Sequence, residues 1–206
     1  RWCKLPRPFT GSPMTEDKTT LLPSAHLRPG EMFMLEIPLL VSTVLGSCIA
    51  VTLFNETLGM AAICHALLPH CKKHVYRGSV HDLLDENCIK CPEAYKYVDC
   101  ALVMMIEAFR RAGIRPEETT VQVFGGAKMI GEQQGRRLNL SVGSQNVRAA
   151  EKVLTDHHLK ITVSDTGGLT GRKVVFNSQT GKTSVNKIRR LAFDSTARQW
   201  TTQKEV

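Results

Sequence analysis

Residues 48–69 have the sequence CIAVTLFNETLGMAAICHALLP, in which two apolar runs flank a short polar linker. This pattern is typical of a β-hairpin. The runs 48–54 and 60–68 have the length of strands, and residues 55–59 have the composition of a turn. Pro69 ends the second strand because proline has no N–H to donate to a ladder. The hairpin predicts a fold built largely on antiparallel strands.

The flanking sequence predicts further strands and two helices. Apolar residues recur every three or four positions over 95–112, which predicts an amphipathic helix stopped by Gly113. Ser144 is suited to cap a second amphipathic helix. Short segments of strand character occupy 32–36, 39–44, 121–124, 138–142, 160–164, 173–177 and 183–188. We predict a mixed α/β (α+β) fold: one domain of mainly antiparallel or mixed β-sheet with hairpins, packed by two amphipathic helices.

Length and local composition indicate how the chain is divided. At 206 residues and 42% hydrophobic content, it can bury one substantial core. Residues 1–30 hold five of the nine prolines, so we expect an extended or disordered leader over 1–26, a folded domain over 27–190 and a polar tail over 191–206. No apolar run approaches the roughly 18 to 20 residues that span a bilayer. We expect a cytoplasmic protein that is not embedded in a membrane.

Charge and cysteine content narrow the classes of function. The formal net charge is +8, but the basic residues are spread along the chain and rarely alternate with aromatic ones. We therefore expect an acidic protein partner and no nucleic acid. Seven cysteines, an odd number at irregular spacing, do not form the pattern of a secreted disulfide framework. They are expected to be free thiols.

Cys48 and His65 are candidates for nucleophilic chemistry. A hairpin that turns about Glu56 and Thr57 places these two residues directly opposite each other on one face. A neighbouring imidazolium holds a thiol as thiolate, the form that attacks a carbonyl carbon. Ser47, just before the cysteine, lies where backbone N–H groups could bind an oxyanion. A buried cysteine in an apolar strand is more often an inert core residue, so the pair alone does not establish catalysis.

A third group commonly orients the imidazole in such sites. Ser42 and Thr43 are the nearby hydroxyls. In a regular strand, Ser42 shares a face with Cys48 and Thr43 does not, but a glycine between them can reset the alternation. Both residues remain candidates.

A second cluster suggests a different chemistry. Cys88 and Cys91 form a CxxC pair, with Cys71 and His81 close in sequence. These are ligand types that zinc prefers, although a second matched pair is missing. A structural metal at Cys88 and Cys91, a redox pair and free thiols in a loop are the three alternatives.

Several segments together resemble the CheD family of chemoreceptor glutamine deamidases. They occur in the family's order over roughly residues 27–188, and the ordered set is specific although each segment alone is weak. The matching segments are LRPGE at 27–31, TVLGSCIAV at 43–51, GM at 59–60, HALLP at 65–69, YVD at 97–99, FGGAKM at 124–129, GSQNV at 143–147, DTGG at 165–168 and GRK at 171–173.

The resemblance implies a protein-glutamine glutaminase that converts glutamine to glutamate on methyl-accepting chemotaxis receptors and releases ammonia. Cys48 then matches the nucleophile, His65 the base, and Thr43 or Ser42 the third member. A thioester intermediate, a partner like the phosphatase CheC and no cofactor are also implied. Gly125 and Gly126 are further candidates for holding the oxyanion or positioning the substrate. The alternative is a non-catalytic regulatory protein that binds a CheC-type phosphatase and receptors.

Overall fold

The computed structural model describes residues 22–71, 91–128 and 141–188, together with the backbone of two short strands near the C-terminus. The helices are α1 (Val98–Arg111) and α2 (Val142–Asp156), and short 3-10 turns at Ala94–Lys96 and Pro116–Glu118 flank α1. The strands are β1 (Ser24–His26), β2 (Met32–Leu35), β3 (Leu40–Leu45), β4 (Ile49–Asn55), β5 (Met60–Ala66), β6 (Thr120–Gly125), β7 (Ile161–Thr166), β8 (Arg172–Asn177), β9 (Thr183–Lys187), β10 (Leu191–Asp194) and β11 (Gln199–Thr202).

Within the described ranges, nine of these strands form two sheets. The larger sheet has the order β2-β5-β4-β6-β7, and the smaller has the order β1-β3-β8-β9. Most neighbours are antiparallel, whereas the β1–β3 and β6–β7 pairs are parallel. Strands β10 and β11 pair separately as a hairpin. The predicted fold class is confirmed: mixed sheets with hairpins and two packed helices.

Alternating residues of the central hairpin build the core on both sides of the larger sheet. Ile49, Val51 and Leu53 of β4 pack with the apolar faces of α1 and α2. Residues on the opposite face pack against β3 and β8 of the smaller sheet, as Ala50 does with Val174. The fold therefore has three layers: helices, larger sheet and smaller sheet.

The predicted hairpin is confirmed, but its predicted register is wrong. His65 opposes Ala50, and the last pair before the turn is Asn55 with Met60. The Asn55 side chain accepts a 2.8 Å hydrogen bond from the Leu58 N–H, and Gly59 has a left-handed backbone with φ of 61°. These two features support a four-residue loop, which moves the centre of the turn by one residue.

The second helix begins earlier than predicted. Its N-cap is Ser141, whose hydroxyl accepts a hydrogen bond from the Ser144 N–H, so the proposed cap at Ser144 is wrong. At the two ends, β1 starts before the predicted boundary at residue 27, and β10 and β11 lie within the predicted polar tail. No described helix is long and apolar enough to cross a membrane.

Candidate active site

Thr43 and His65 are hydrogen bonded across the interface between the two sheets. Thr43 projects from β3, His65 projects from β5, and Thr43 Oγ1 lies 2.7 Å from His65 Nδ1. The Thr43 hydroxyl also donates to the Leu27 carbonyl at 2.8 Å. Because its only proton is used there, Thr43 accepts from Nδ1–H of the neutral imidazole. The tautomer that follows leaves the lone pair of His65 on Nε2.

The imidazole of His65 is almost fully buried. The residue is 1% exposed, and Nε2 has no hydrogen-bond partner among the described residues. Burial lowers the pKa of His65 to about 4, an effect that the nearby Leu27 carbonyl and Glu31 oppose and His26 strengthens. His65 is therefore a neutral base at physiological pH, with Nε2 free to accept a proton.

Cys48 lies at the same interface between the sheets as His65. It immediately precedes β4, is partly buried, and packs against the cluster that contains Ala50. Since Ala50 opposes His65, Cys48 and His65 lie diagonally on one face and are not directly opposed as the sequence predicted. Burial raises the pKa of the Cys48 thiol, and its own backbone N–H acts in the opposite direction.

A glycine-rich segment supports the bend that carries Cys48. The Gly126 N–H donates to the Cys48 carbonyl at 2.8 Å, and the Ala127 N–H donates to the Gly46 carbonyl at 2.8 Å. Gly125 has φ of 109°, and a Cβ there would lie 2.2 Å from the Cys48 carbonyl oxygen. Close backbone approach at this point therefore requires glycine. The Gly126 N–H is engaged with Cys48, and the predicted oxyanion role of this segment stays a prediction.

The other two predicted hydroxyl residues are Ser42, which lies beside His26, and Ser47, which lies in the bend before β4. Ser42 Oγ lies 3.4 Å from His26 Nδ1 and 3.5 Å from the Ala25 carbonyl, on the neighbouring strand β1. Ser47 is partly exposed in the bend before β4. The structure thus brings Thr43 to His65, places Ser42 beside His26, and leaves Ser47 next to Cys48.

A buried arginine holds the loop that borders this glycine segment. Arg172 donates to the Asp165 backbone carbonyl and, at 3.0 Å and 2.5 Å, to the Asp165 carboxylate and the Gly167 carbonyl. The loop is in turn bonded to β6, since the Gly167 N–H donates to the Gly125 carbonyl at 2.8 Å. Residues 165–168 therefore form a fixed wall near the bend that carries Cys48.

The predicted metal ligands cannot be assembled from the described part of the chain. Cys88 and His81 lie outside the described residues, while Cys91 and Cys71 lie inside them. Across ranges 22–71, 91–128 and 141–188, no group of three or more metal-ligating side chains occurs. The cysteines in these ranges are free thiols. Zinc binding at Cys88 and Cys91 stays a prediction.

Comparisons with known proteins show the family to which the chain belongs. Residues 86–187 match the family described as CheD chemotactic sensory transduction. The chain is 37% identical over 174 residues to the probable chemoreceptor glutamine deamidase CheD 2 of Geobacter sulfurreducens, covering 84% of this chain and 96% of the relative. It is 30% identical over 160 residues to the chemoreceptor glutamine deamidase CheD of Thermotoga maritima, covering 77% and 88%. The chain belongs to the CheD family.

The family model match at 86–187 does not include Thr43, Cys48 or His65, so their roles stay predictions. The sequence prediction missed the Leu27 carbonyl as the acceptor for Thr43. It also gave no role to Asn146, although that residue lies within one of the segments that resemble the family.

Proposed function

We propose that this chain deamidates glutamine side chains of chemoreceptors, with Cys48 as nucleophile, His65 as base and Thr43 as the residue that orients the imidazole. The observation that carries the proposal is the hydrogen bond between Thr43 and His65, which leaves a buried Nε2 as proton acceptor at the interface where Cys48 lies. The names of the relatives support the choice of substrate.

The first half of the reaction forms a thioester. His65 Nε2 accepts the thiol proton as Cys48 Sγ attacks the carbon of the glutamine carboxamide. Burial disfavours charge on each partner alone, but transfer of the proton creates a thiolate and an imidazolium together, so their opposite charges offset each other. The imidazolium then gives the proton to the leaving nitrogen, and ammonia departs.

The second half of the reaction hydrolyses the thioester. His65 Nε2 accepts a proton from water, the hydroxide adds to the acyl carbon, and the Cys48 thiol is restored when glutamate leaves. In both halves an oxyanion forms, for which the backbone N–H groups of Ser47 and Cys48 are the proposed donors. Thr43 stabilises the imidazolium because its oxygen continues to accept from Nδ1–H.

The proposed setting is the bacterial chemotaxis system. We propose a cytoplasmic protein whose substrates are methyl-accepting chemotaxis receptors, and a CheC-type phosphatase as a partner that regulates it. The family resemblance supports the phosphatase partner. Titration of purified CheC-type protein by calorimetry tests this association separately from catalysis. Absence of binding heat across a range of temperatures would remove the partner from the proposal and leave the enzymatic site intact.

The catalytic proposal is tested by ammonia release and by mass spectrometry of receptor cytoplasmic fragments. The wild type is expected to convert glutamine to glutamate, whereas Cys48→Ala and His65→Ala are expected to release no ammonia above background. Cys64→Ala is the matched control, because Cys64 is fully buried and burial raises its pKa to about 12. An inactive wild type with intact folding would favour the non-catalytic regulatory alternative.

A further inference from the structure

Asn146 joins the two segments that carry the proposed nucleophile and base. It lies in the second turn of α2 and is fully buried. Its Nδ2 donates to the Ser47 carbonyl at 2.9 Å and to the Leu67 carbonyl at 2.9 Å. An amide nitrogen has two N–H donors, so both are used here. One side chain thus holds the residue before Cys48 and the residue two positions after His65.

The two carbonyls lie where the hairpin ladder stops. Ile49 and Ala66 are the final pair of the β4–β5 ladder, and the Leu67 N–H instead donates to the Lys96 carbonyl. Beyond this pair, the Ser47 and Leu67 carbonyls have no ladder partner on the opposite strand of the hairpin. The Asn146 amide replaces the missing ladder contacts, and it does so immediately beside Cys48.

The bond to Ser47 has a directional consequence for Cys48. The Ser47 carbonyl and the Cys48 N–H belong to one planar trans peptide and point in opposite directions. Holding the carbonyl at Asn146 therefore aims the Cys48 N–H away from α2, and this N–H acts on the sulfur of its own residue. The peptide plane on the other side of Cys48 is held by the Gly126 N–H.

Close packing makes the support rigid. A Cβ placed at Gly143, in the first turn of α2, would lie 2.4 Å from the Gly126 carbonyl oxygen. The start of the helix is therefore pressed against the same segment that binds the Cys48 carbonyl. The Asn146 Oδ1 has no hydrogen-bond partner among the described residues. The buried amide therefore leaves its acceptor unsatisfied while both of its N–H donors are used.

We propose that Asn146 is a positioning residue for the deamidation reaction: it fixes the Ser47–Cys48 peptide plane and thereby aims the Cys48 N–H and thiol. This inference rests on the proposed role of Cys48. It assigns to Asn146 no contact with substrate. The effect of removing it should therefore appear in kcat and in the reactivity of the thiol, while KM changes little.

The test compares Asn146→Leu, which has a similar size and no donors, with the wild type. The expected loss in kcat is about 10- to 100-fold, because a misaligned backbone donor stabilises the oxyanion less. The pH profile of Cys48 alkylation by iodoacetamide is expected to move to higher pH, since the N–H no longer assists the thiolate. Asn146→Ser, which is smaller and keeps one hydroxyl donor, is expected to be intermediate in both measurements.

Ser178→Ala is the matched control for a purely structural effect. Ser178 is also buried and bridges two backbone groups, the Leu39 N–H and the Ile37 carbonyl. Its variant is expected to keep the wild-type kcat and alkylation profile at equal folded fraction. An unchanged alkylation profile and kcat in folded Asn146→Leu or Asn146→Ser would overturn the inference. Alkylation requires no turnover, so this result is distinct from failure of the proposed deamidase activity in the wild type.

Discussion

Replacing Thr43 by valine removes the hydroxyl that orients His65 and nearly preserves the volume of the side chain. The hydroxyl bridges His65 Nδ1 at 2.7 Å and the Leu27 carbonyl at 2.8 Å. In the variant, His65 Nδ1 and the Leu27 carbonyl each lose a hydrogen-bond partner in a buried environment. We expect the free energy of unfolding to fall by about 1 to 3 kcal/mol, the cost of leaving buried polar groups unpaired.

The same substitution should reduce catalysis more than binding. When His65 becomes an imidazolium in the transition state, its bond to Thr43 is charge-assisted and contributes about 1.5 to 3 kcal/mol. At about 1.4 kcal/mol for each factor of ten, kcat should fall about 10- to 100-fold. The assay is ammonia release from receptor fragments at a temperature where the variant remains folded, with kcat and KM determined separately.

Two neighbouring substitutions make the test specific. Thr43→Ser keeps the hydroxyl and should retain most of the activity. Ser42→Ala removes the adjacent hydroxyl, which faces His26 on β1, and should behave as the wild type. A kcat within twofold of wild type in Thr43→Val, or a large loss in Ser42→Ala alone, would refute the assignment of Thr43.

Two further predictions follow from the backbone and from His65. Gly125→Ala should lose activity and thermal stability, because its Cβ would meet the Cys48 carbonyl oxygen. The control Gly113→Ala also has a positive φ but has open space around its Cβ, so its free energy of unfolding should fall by only about 1 kcal/mol. Equal melting temperatures for the two variants would contradict this prediction. The pKa of His65 is about 4 in the folded chain, below its ordinary value of 6.5. As pH falls, the unfolded chain therefore takes up the proton before the folded chain does. The free energy of unfolding should decrease by about 3 kcal/mol between pH 6.5 and pH 4. His65→Gln should lack this component in denaturation curves, and an identical pH dependence in both proteins would show that the imidazole is not buried as a neutral base.

The hairpin and the first helix were predictable because both are encoded by local periodicity. Alternation and turn composition identify β4 and β5, and apolar spacing identifies α1. The register was not predictable in the same way. It depends on the Asn55 side chain and on the left-handed backbone of Gly59, which together fix the length of the loop.

The site was predictable only in part because its contacts cross between distant segments. Cys48 and His65 became candidates through the hairpin pattern and the family resemblance. The choice between Thr43 and Ser42 depends on which face of β3 meets the larger sheet, and strand alternation alone favoured Ser42. Asn146 is 99 residues from Ser47 in sequence, so no local pattern indicates their hydrogen bond.

The central claim is that Cys48 forms a thioester with the receptor glutamine, and interception by hydroxylamine tests it most directly. A thioester partitions between water and the added amine, so the wild type should yield a hydroxamate at the same glutamine that otherwise becomes glutamate. Cys48→Ala should yield neither product. Detection of glutamate without any hydroxamate at saturating hydroxylamine, or continued ammonia release by Cys48→Ala, would contradict the account.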